Sequence, residues 1–492
     1  MQIGYVAVMA RLLEPAAFGL VAMAHVVLRF GSYFAQMGMG QALIQKTELT
    51  KENIRAAFTS SVVLGFIFFV IIYFLAPLSI YIFNDIKVIP IVRIMALSFV
   101  LTGLSTTALS LLRRGFRFKE LAIVEIGSYI IGYIGVGIIS AILGFGVWSL
   151  VFAALSQAFI MAIISYLIVR HSLKLLFKWK HHKALFSFGS KVSIISFFEF
   201  IQANIDTIFI GKFFTASALG FYNRGYRLIN LPLQFLTSSS SRVIYPAFSK
   251  IQNDKVKLRQ NYLKAIMLLA QVLFPLVAVA TVGANVIILT VLGPKWQASI
   301  PILRILAIPS ALILIAHIAA VLLEAIAELK IKLKITLFNI ILISILLLVL
   351  KNYNIAGVAL SVGVGYTFVF FAYTIKIMRV LSIPKKDLIK VFIPGAVTAV
   401  ILGISIFIFG FLTDSLNISV YINFIIIVVF SILAFIGIAI LGPFKRLKSE
   451  INDLIILIFN KKYYLTNMIS DALCDVRTNQ QIAIKIKNNK KV

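Results

Sequence analysis

The chain has 492 residues, 61% of them hydrophobic and 13% charged, with a mean hydropathy of +1.02, which excludes a soluble domain and defines a polytopic membrane protein. The formal charge of +30 sits in short loops between apolar runs, so it points to an anionic membrane surface and not to nucleic acid. A single cysteine, Cys474, excludes an intramolecular disulfide framework, and the five scattered histidines show no metal-ligand spacing.

The first apolar segment, Met1–Leu13, is too short to span a bilayer, and the first full span is Pro15–Gly38. Further spans are predicted at Ala56–Phe83, Val88–Leu112, Leu121–Phe145, Trp148–Val169 and Leu185–Ile210. They continue at Ala216–Phe235, Tyr262–Leu292, Ile300–Ile326, Ile335–Leu350 and Ile355–Ile377, and end with Leu388–Leu412 and Ile418–Leu441. Alternate loops are basic, for example Arg113, Arg114, Arg117 and Lys119, or Lys376, Arg379, Lys385, Lys386 and Lys390. The intervening loops hold little more than Arg11, Lys87, Lys212, Lys295 and Lys351. The positive-inside rule puts the first set and the C-terminal tail in the cytoplasm. All loops are short, so neither side carries a folded domain. Ile451–Tyr464 reads either as an amphipathic surface helix or as a helix packed under the bundle.

The chain contains a tandem duplication. ARLLEPAAFGLV from Ala10 aligns with GKFFTASALGFY from Gly211 at an offset of 201 residues, matching Arg11 with Lys212 and Gly19 with Gly220. Later matches, LLRRGFRFK with LLEAIAELK and Gly146–Val147 with Gly357–Val358, share an offset of 211. The predicted architecture is all-α. An N-terminal lobe (1–170) and a cytoplasmic linker (171–184) precede a C-terminal lobe (185–380), two additional helices (388–441) and a basic tail (442–492). Lobes of six spans each keep the same orientation, as in transporters with parallel repeats. The counterpart of Leu185–Ile210 would begin roughly twenty residues before Met1, so the first helix is expected to be incomplete, through a misplaced start or a truncated gene.

Charges inside these spans are the functional signal, because each costs roughly 2.5–3.5 kcal/mol at mid-bilayer on insertion scales. Asn223, Arg227, Asn230 and Gln234 fall on one helix face at i, i+4, i+7 and i+11, with Arg224 at its border. His25, Arg29, Ser32 and Gln36 repeat that spacing in the first lobe. On the helix before Ala216, Glu199, Gln202 and Asp206 are also aligned. Facing arginines would make a central cationic cleft. The competing reading is a set of neutralised pairs, Asp206 with Arg224 for instance, and a snorkelling Arg29.

Arginine suits phosphate because its planar fork forms paired, charge-assisted hydrogen bonds and stays charged. Arg29, Arg224 and Arg227 together match the charge of a diphosphate; Arg93, Lys191 and Arg304 are weaker candidates. Tyr33, Tyr222 and Tyr226 could stack on sugar rings. Asp206 and Glu199 are candidates for coupling to H+ or Na+, with no other cofactor expected. Glu125 reads as a helix-end residue paired with Lys119 or Arg117.

Several motifs resemble a known family: RLLEPAAFGLVAMA, MGMGQALIQKTELT from Met37, AAFTSS from Ala56, DTIFIGKFFTASALGFYNRGYRLINLP from Asp206 and YPAFSKIQ from Tyr245. Together they resemble the polysaccharide transporter family, and more closely the Wzx-type flippases for colanic acid, O-antigen or teichuronic acid. The resemblance implies the MOP-flippase architecture of two six-helix lobes, with two extra helices in some members. It implies an undecaprenyl-diphosphate-linked oligosaccharide moved across the cytoplasmic membrane by alternating access, with membrane lipids, a polysaccharide polymerase and chain-length machinery as partners. Lipid II flippases and multidrug-cation antiporters share that architecture, although an antiporter cleft should favour acids. A membrane polymerase would need a catalytic constellation, and the sequence shows no large loop, P-loop or Asp-x-Asp pair. The chain is therefore expected not to be an enzyme.

Overall fold

The computed structural model describes residues 2–36, 39–45, 49–177, 200–326, 328–415 and 419–441, and all regular structure among them is helical. The first part of the chain forms α1 (Gln2–Leu12), α2 (Pro15–Gln36), α3 (Met39–Gln45), α4 (Lys51–Leu75), α5 (Ser79–Phe83), α6 (Val88–Met95) and α7 (Leu97–Arg114). It continues with α8 (Phe118–Tyr129), a π-helical segment (Ile130–Gly137), α9 (Ile138–Ile142) and α10 (Val147–Val169). The second part comprises α11 (200–213), α12 (Ala216–Lys250), α13 (Lys255–Val282), α14 (Ala284–Val291), α15 (Ile300–Ala325), α16 (Leu329–Leu350) and α17 (Asn354–Val380). Two further helices, α18 (Lys385–Ser415) and α19 (Val420–Leu441), follow.

Local chemistry sets the boundaries. Pro15 opens α2, where a missing N–H costs nothing. The side chains of Thr50, Thr215 and Asp254 accept from the first free amides of α4, α12 and α13. At Asp254 the bond from the Lys257 amide holds the carboxyl below its usual range. Asn84 and Arg170 end their helices in the left-handed conformation.

Among the described residues ten helical stretches are long and apolar enough to cross a membrane, and the longest, Lys330–Val380, takes in α17 and all of α16 after Leu329. Most of the predicted spans coincide with these helices to within a few residues, with informative exceptions; of the span predicted over Leu185–Ile210, residues 185–199 lie outside the described residues. The span predicted over Ala216–Phe235 is a helix that runs on to Lys250. Hydropathy reports burial in lipid, whereas helicity needs only satisfied backbone groups. The span predicted over Tyr262–Leu292 is two helices broken at Gly283, and Leu121–Phe145 contains the π segment. Of the predicted linker, residues 171–177 lie along α4, where Arg55 donates to the carbonyls of Lys174 (3.0 Å) and Leu175 (3.1 Å). Residues 178–184 and the tail 442–492 lie outside the described residues.

Within the first part α4, α7 and α10 pack side by side; within the second, α13 packs on α15 and α18, and α15 on α17. The two parts meet along α2 and α12. Here the duplicated motif acts as a reciprocal joint. A Cβ on Gly19 would lie 1.8 Å from the Ala216 carbonyl oxygen, and one on Gly220 2.0 Å from that of Pro15. Pro15 and Ala216 are themselves separated by 201 residues, so equivalent positions touch in both directions.

Polar contacts complete this lysine-poor end. Arg11 Nη2 donates to the Thr290 carbonyl in the last turn of α14 (2.6 Å). Its repeat partner Lys212 donates to the Tyr81 carbonyl in the last turn of α5 (2.5 Å). Both cations meet the negative end of a short helix from the other half. Trp296, fully buried, lies edge-on to Phe18 and Phe221, with ring centroids at 5.3 and 5.8 Å, and donates Nε1–H to the Ala10 carbonyl (2.9 Å).

Candidate functional site

Beneath this closed end α2 and α12 diverge around a cavity of about 520 Å³, walled also by α1, the π segment, α10, α11 and Tyr366 of α17. That volume falls within the range of about 300–1,000 Å³ usual for ligand sites. His25 and Arg29 of α2 line it, as do Asn223, Arg224, Arg227, Asn230 and Gln234 of α12 and Asp206 of α11. The side chain of Gln36, and Glu199 altogether, lie outside the described residues. Ser32 turns away and donates to the Arg29 carbonyl (2.8 Å).

His25, Arg29 and Arg227 are exposed and border the cavity, so the Arg29 and Arg227 guanidinium groups open onto space within the bundle. Arg224 is different. Its guanidinium carbon stands 4.0 Å from the Phe18 ring centroid, and its Nε is buried with no hydrogen-bond partner. Stacking on the negative ring face compensates part of the desolvation but leaves a donor unmet. Among the described residues, none of the three arginines has a carboxylate within 4.0 Å.

The Asp206–Arg224 pair of the competing reading does not form among the described residues. Asp206, 6% exposed, accepts from Tyr222 Oη (2.7 Å), from the Thr207 amide (2.6 Å) and from Thr207 Oγ1 (3.3 Å). Tyr222 and Arg224 are two residues apart on a helix, so presenting one to α11 turns the other away. Tyr222 and Tyr226 line the cavity, and their hydroxyls are bonded to Asp206 and to Tyr366 (2.6 Å) respectively. The side chain of Tyr33, and Lys191, lie outside the described residues. Arg93 stacks on Tyr73, 5.1 Å from its centroid, and neither it nor Arg304 borders the cavity. Glu125 faces Arg113 at 3.9 Å and not Lys119 or Arg117, because Arg117 pairs with Glu120 at 2.9 Å.

Sequence reasoning missed Tyr5, Tyr129, Tyr133 and Gln157 as cavity residues. No hydropathy signal marks them, since tyrosines in apolar helices are ordinarily packing residues. The three glycines of Ile130–Gly137 were the available hint of an irregular segment. Among the described residues no cluster of His, Cys, Asp or Glu could hold a metal. The arrangement is one suited to binding an anion.

The helical fold is shared with solved membrane-transporter structures at low sequence identity. A solved structure titled "Lipid II flippase MurJ, inward closed conformation" superposes with a TM-score of 0.69 over 94% of this chain and 97% of that one, at 14% identity. Residues 8–301 match the polysaccharide biosynthesis protein family, and the chain belongs to it as a multi-pass membrane protein. It is 27% identical over 295 residues to the teichuronic acid biosynthesis protein TuaB of Bacillus subtilis, covering 57% of this chain and 58% of that protein. It is 23% identical over 337 residues to the lipopolysaccharide biosynthesis protein WzxC of Escherichia coli, covering 67% of this chain and 68% of that one.

Proposed function

We propose that the chain is a flippase that moves an undecaprenyl-diphosphate-linked oligosaccharide across the cytoplasmic membrane for surface polysaccharide synthesis. The observation that carries this reading is the set of three arginines, unpaired with any described acid, around one intramembrane cavity. Guanidinium groups are costly there unless an anion visits, and a diphosphate supplies matching charge and geometry. The names of the relatives favour a polysaccharide unit over a peptidoglycan precursor. A drug-cation antiporter is disfavoured by the sign of the cavity.

The basic loops and tail face the cytoplasm in this reading, so the reciprocal Gly19–Gly220 joint closes the outer side. The headgroup enters from the cytoplasmic leaflet and binds Arg227 and Arg29, and opening of the joint releases it outward. Asp206 is the candidate for coupling to H+ or Na+, because it is buried beside the cavity and the hydrogen bond it accepts from Tyr222 ties α11 to α12. The polymerase and chain-length machinery would take up the product at the outer face.

The test is complementation of a surface-polysaccharide export mutant with Arg29 and Arg227 changed singly to Ala and to Lys. Export should be lost with Ala and partly retained with Lys, at equal membrane levels. Normal export by stably inserted Ala variants would overturn the proposal.

A further inference from the structure

The cavity has two chemically distinct walls. One is the cationic and amide face of α12 with His25 and Arg29 of α2. The other is phenolic. Tyr129 and Tyr133 stack with centroids 4.9 Å apart and planes 18° from parallel, and Tyr5 closes on Tyr133 edge-on at 5.0 Å. The Tyr5 hydroxyl is buried near Gly137 with no hydrogen-bond partner. Tyr129 and Tyr133 are only partly buried and border the cavity.

The backbone beneath them is unusual. Ile130–Gly137 is a π-helix, a form that in membrane and soluble helices tends to mark functional sites. A Cβ at Gly132 would lie 2.5 Å from the Gln157 amide nitrogen, so the segment presses against α10 where the Gln157 side chain also faces the cavity. Rings backed by a close backbone contact, with an amide beside them, are what a pyranose needs. Its C–H face packs on the negative face of an aromatic ring, and its hydroxyls pair with a phenol or an amide.

We infer that Tyr129, Tyr133 and Gln157 form a sugar subsite that binds the first pyranose of the lipid-linked substrate while the opposite wall holds its diphosphate. This rests on the diphosphate reading above and assigns the selectivity to different residues. The arginines anchor any polyprenyl diphosphate; the phenolic wall distinguishes a loaded carrier from a bare one. A transporter built this way would not spend cycles returning unloaded carrier lipid.

The test uses the full-length chain in detergent micelles and compares the Kd for undecaprenyl diphosphate with those for the same lipid capped by glucose, galactose or N-acetylglucosamine. Wild type should bind at least one capped form about five- to tenfold more tightly than the bare diphosphate, the increment of one or two net hydrogen bonds. Tyr129→Leu combined with Tyr133→Leu should bring that ratio to about one while the bare diphosphate is held within about twofold. Arg227→Ala should weaken both forms alike and keep the ratio. The ratio is taken within each variant, so a partly inactive preparation does not alter it, and Tyr133→Phe, which keeps the ring, should retain part of the increment. A wild-type ratio near one for all three caps, or an undiminished ratio in the double variant, overturns the sugar subsite and leaves the diphosphate reading standing. Failure of wild type to bind any of these lipids overturns both.

Discussion

Gly19 and Ala216 touch backbone to backbone: a Cβ added at Gly19 would overlap the Ala216 carbonyl oxygen at 1.8 Å. The same relation recurs between Gly220 and Pro15 at 2.0 Å. The repeated motif thus has a glycine in each copy where two helix starts cross. Any larger side chain forces α2 and α12 apart at the end that seals the cavity.

Gly19→Ala and Gly220→Ala should therefore leave the chain in the membrane but hold its lysine-poor end open. Overpacking of this kind costs about 1–3 kcal/mol, enough to shift a gate between states. A membrane-impermeant maleimide, applied from outside to a Leu13→Cys variant lacking Cys474, should label several-fold faster when either glycine is replaced. Labelling at the wild-type rate would mean that the joint yields without opening.

Trp296 and Glu14 close the same end by different means, and their variants should differ. Trp296→Phe keeps most of the ring packing but leaves the buried Ala10 carbonyl without its 2.9 Å donor, a loss of about 1–2 kcal/mol. Glu14 meets Lys295 at 2.7 Å, with its side chain 72% exposed. Glu14→Gln should change stability by less than about 1 kcal/mol, since exposed pairs are screened. Thermal unfolding in micelles orders the two.

Asp206→Asn keeps the size of the side chain and its ability to accept from Tyr222, but removes the ionisable group. If Asp206 couples transport to an ion, export by Asp206→Asn should lose its dependence on the proton or sodium gradient. Tyr222→Phe should weaken export less, because it removes one of three hydrogen bonds to the carboxylate. Export that keeps its full gradient dependence in Asp206→Asn would assign coupling to another residue.

Much of the fold was legible because lipid imposes a blunt rule on each helix. The span predicted at Ile300–Ile326 is the helix Ile300–Ala325, and Trp148–Val169 is Val147–Val169. Arg29, Arg224 and Arg227 stood out for the same reason: a charge in an apolar helix needs a partner or a wet space. Helical spacing put Asn223, Asn230 and Gln234 on the face of Arg227, and all of them line the one cavity. What the rule does not encode is pairing across helices. It could not name Tyr222 as the partner of Asp206, or Tyr366 as that of the Tyr226 hydroxyl. Tyr129 and Tyr133 were invisible because their environment depends on a π turn, and α12 was cut short because hydropathy falls before helicity does. The repeat identified Arg11 with Lys212 and Gly19 with Gly220, but only the assembled bundle reveals that such equivalents reach across to one another's halves.

The central claim is that a diphosphate occupies the space among the arginines. Native mass spectrometry of the full chain with undecaprenyl diphosphate tests it most directly, comparing wild type with Arg29→Ala, Arg224→Ala and Arg227→Ala and with the triple variant. Each single loss should weaken binding by about tenfold or more, as expected for a charge-assisted hydrogen bond, and the triple variant should retain no lipid above background. Equal retention by wild type and triple variant would show that the diphosphate does not depend on these side chains.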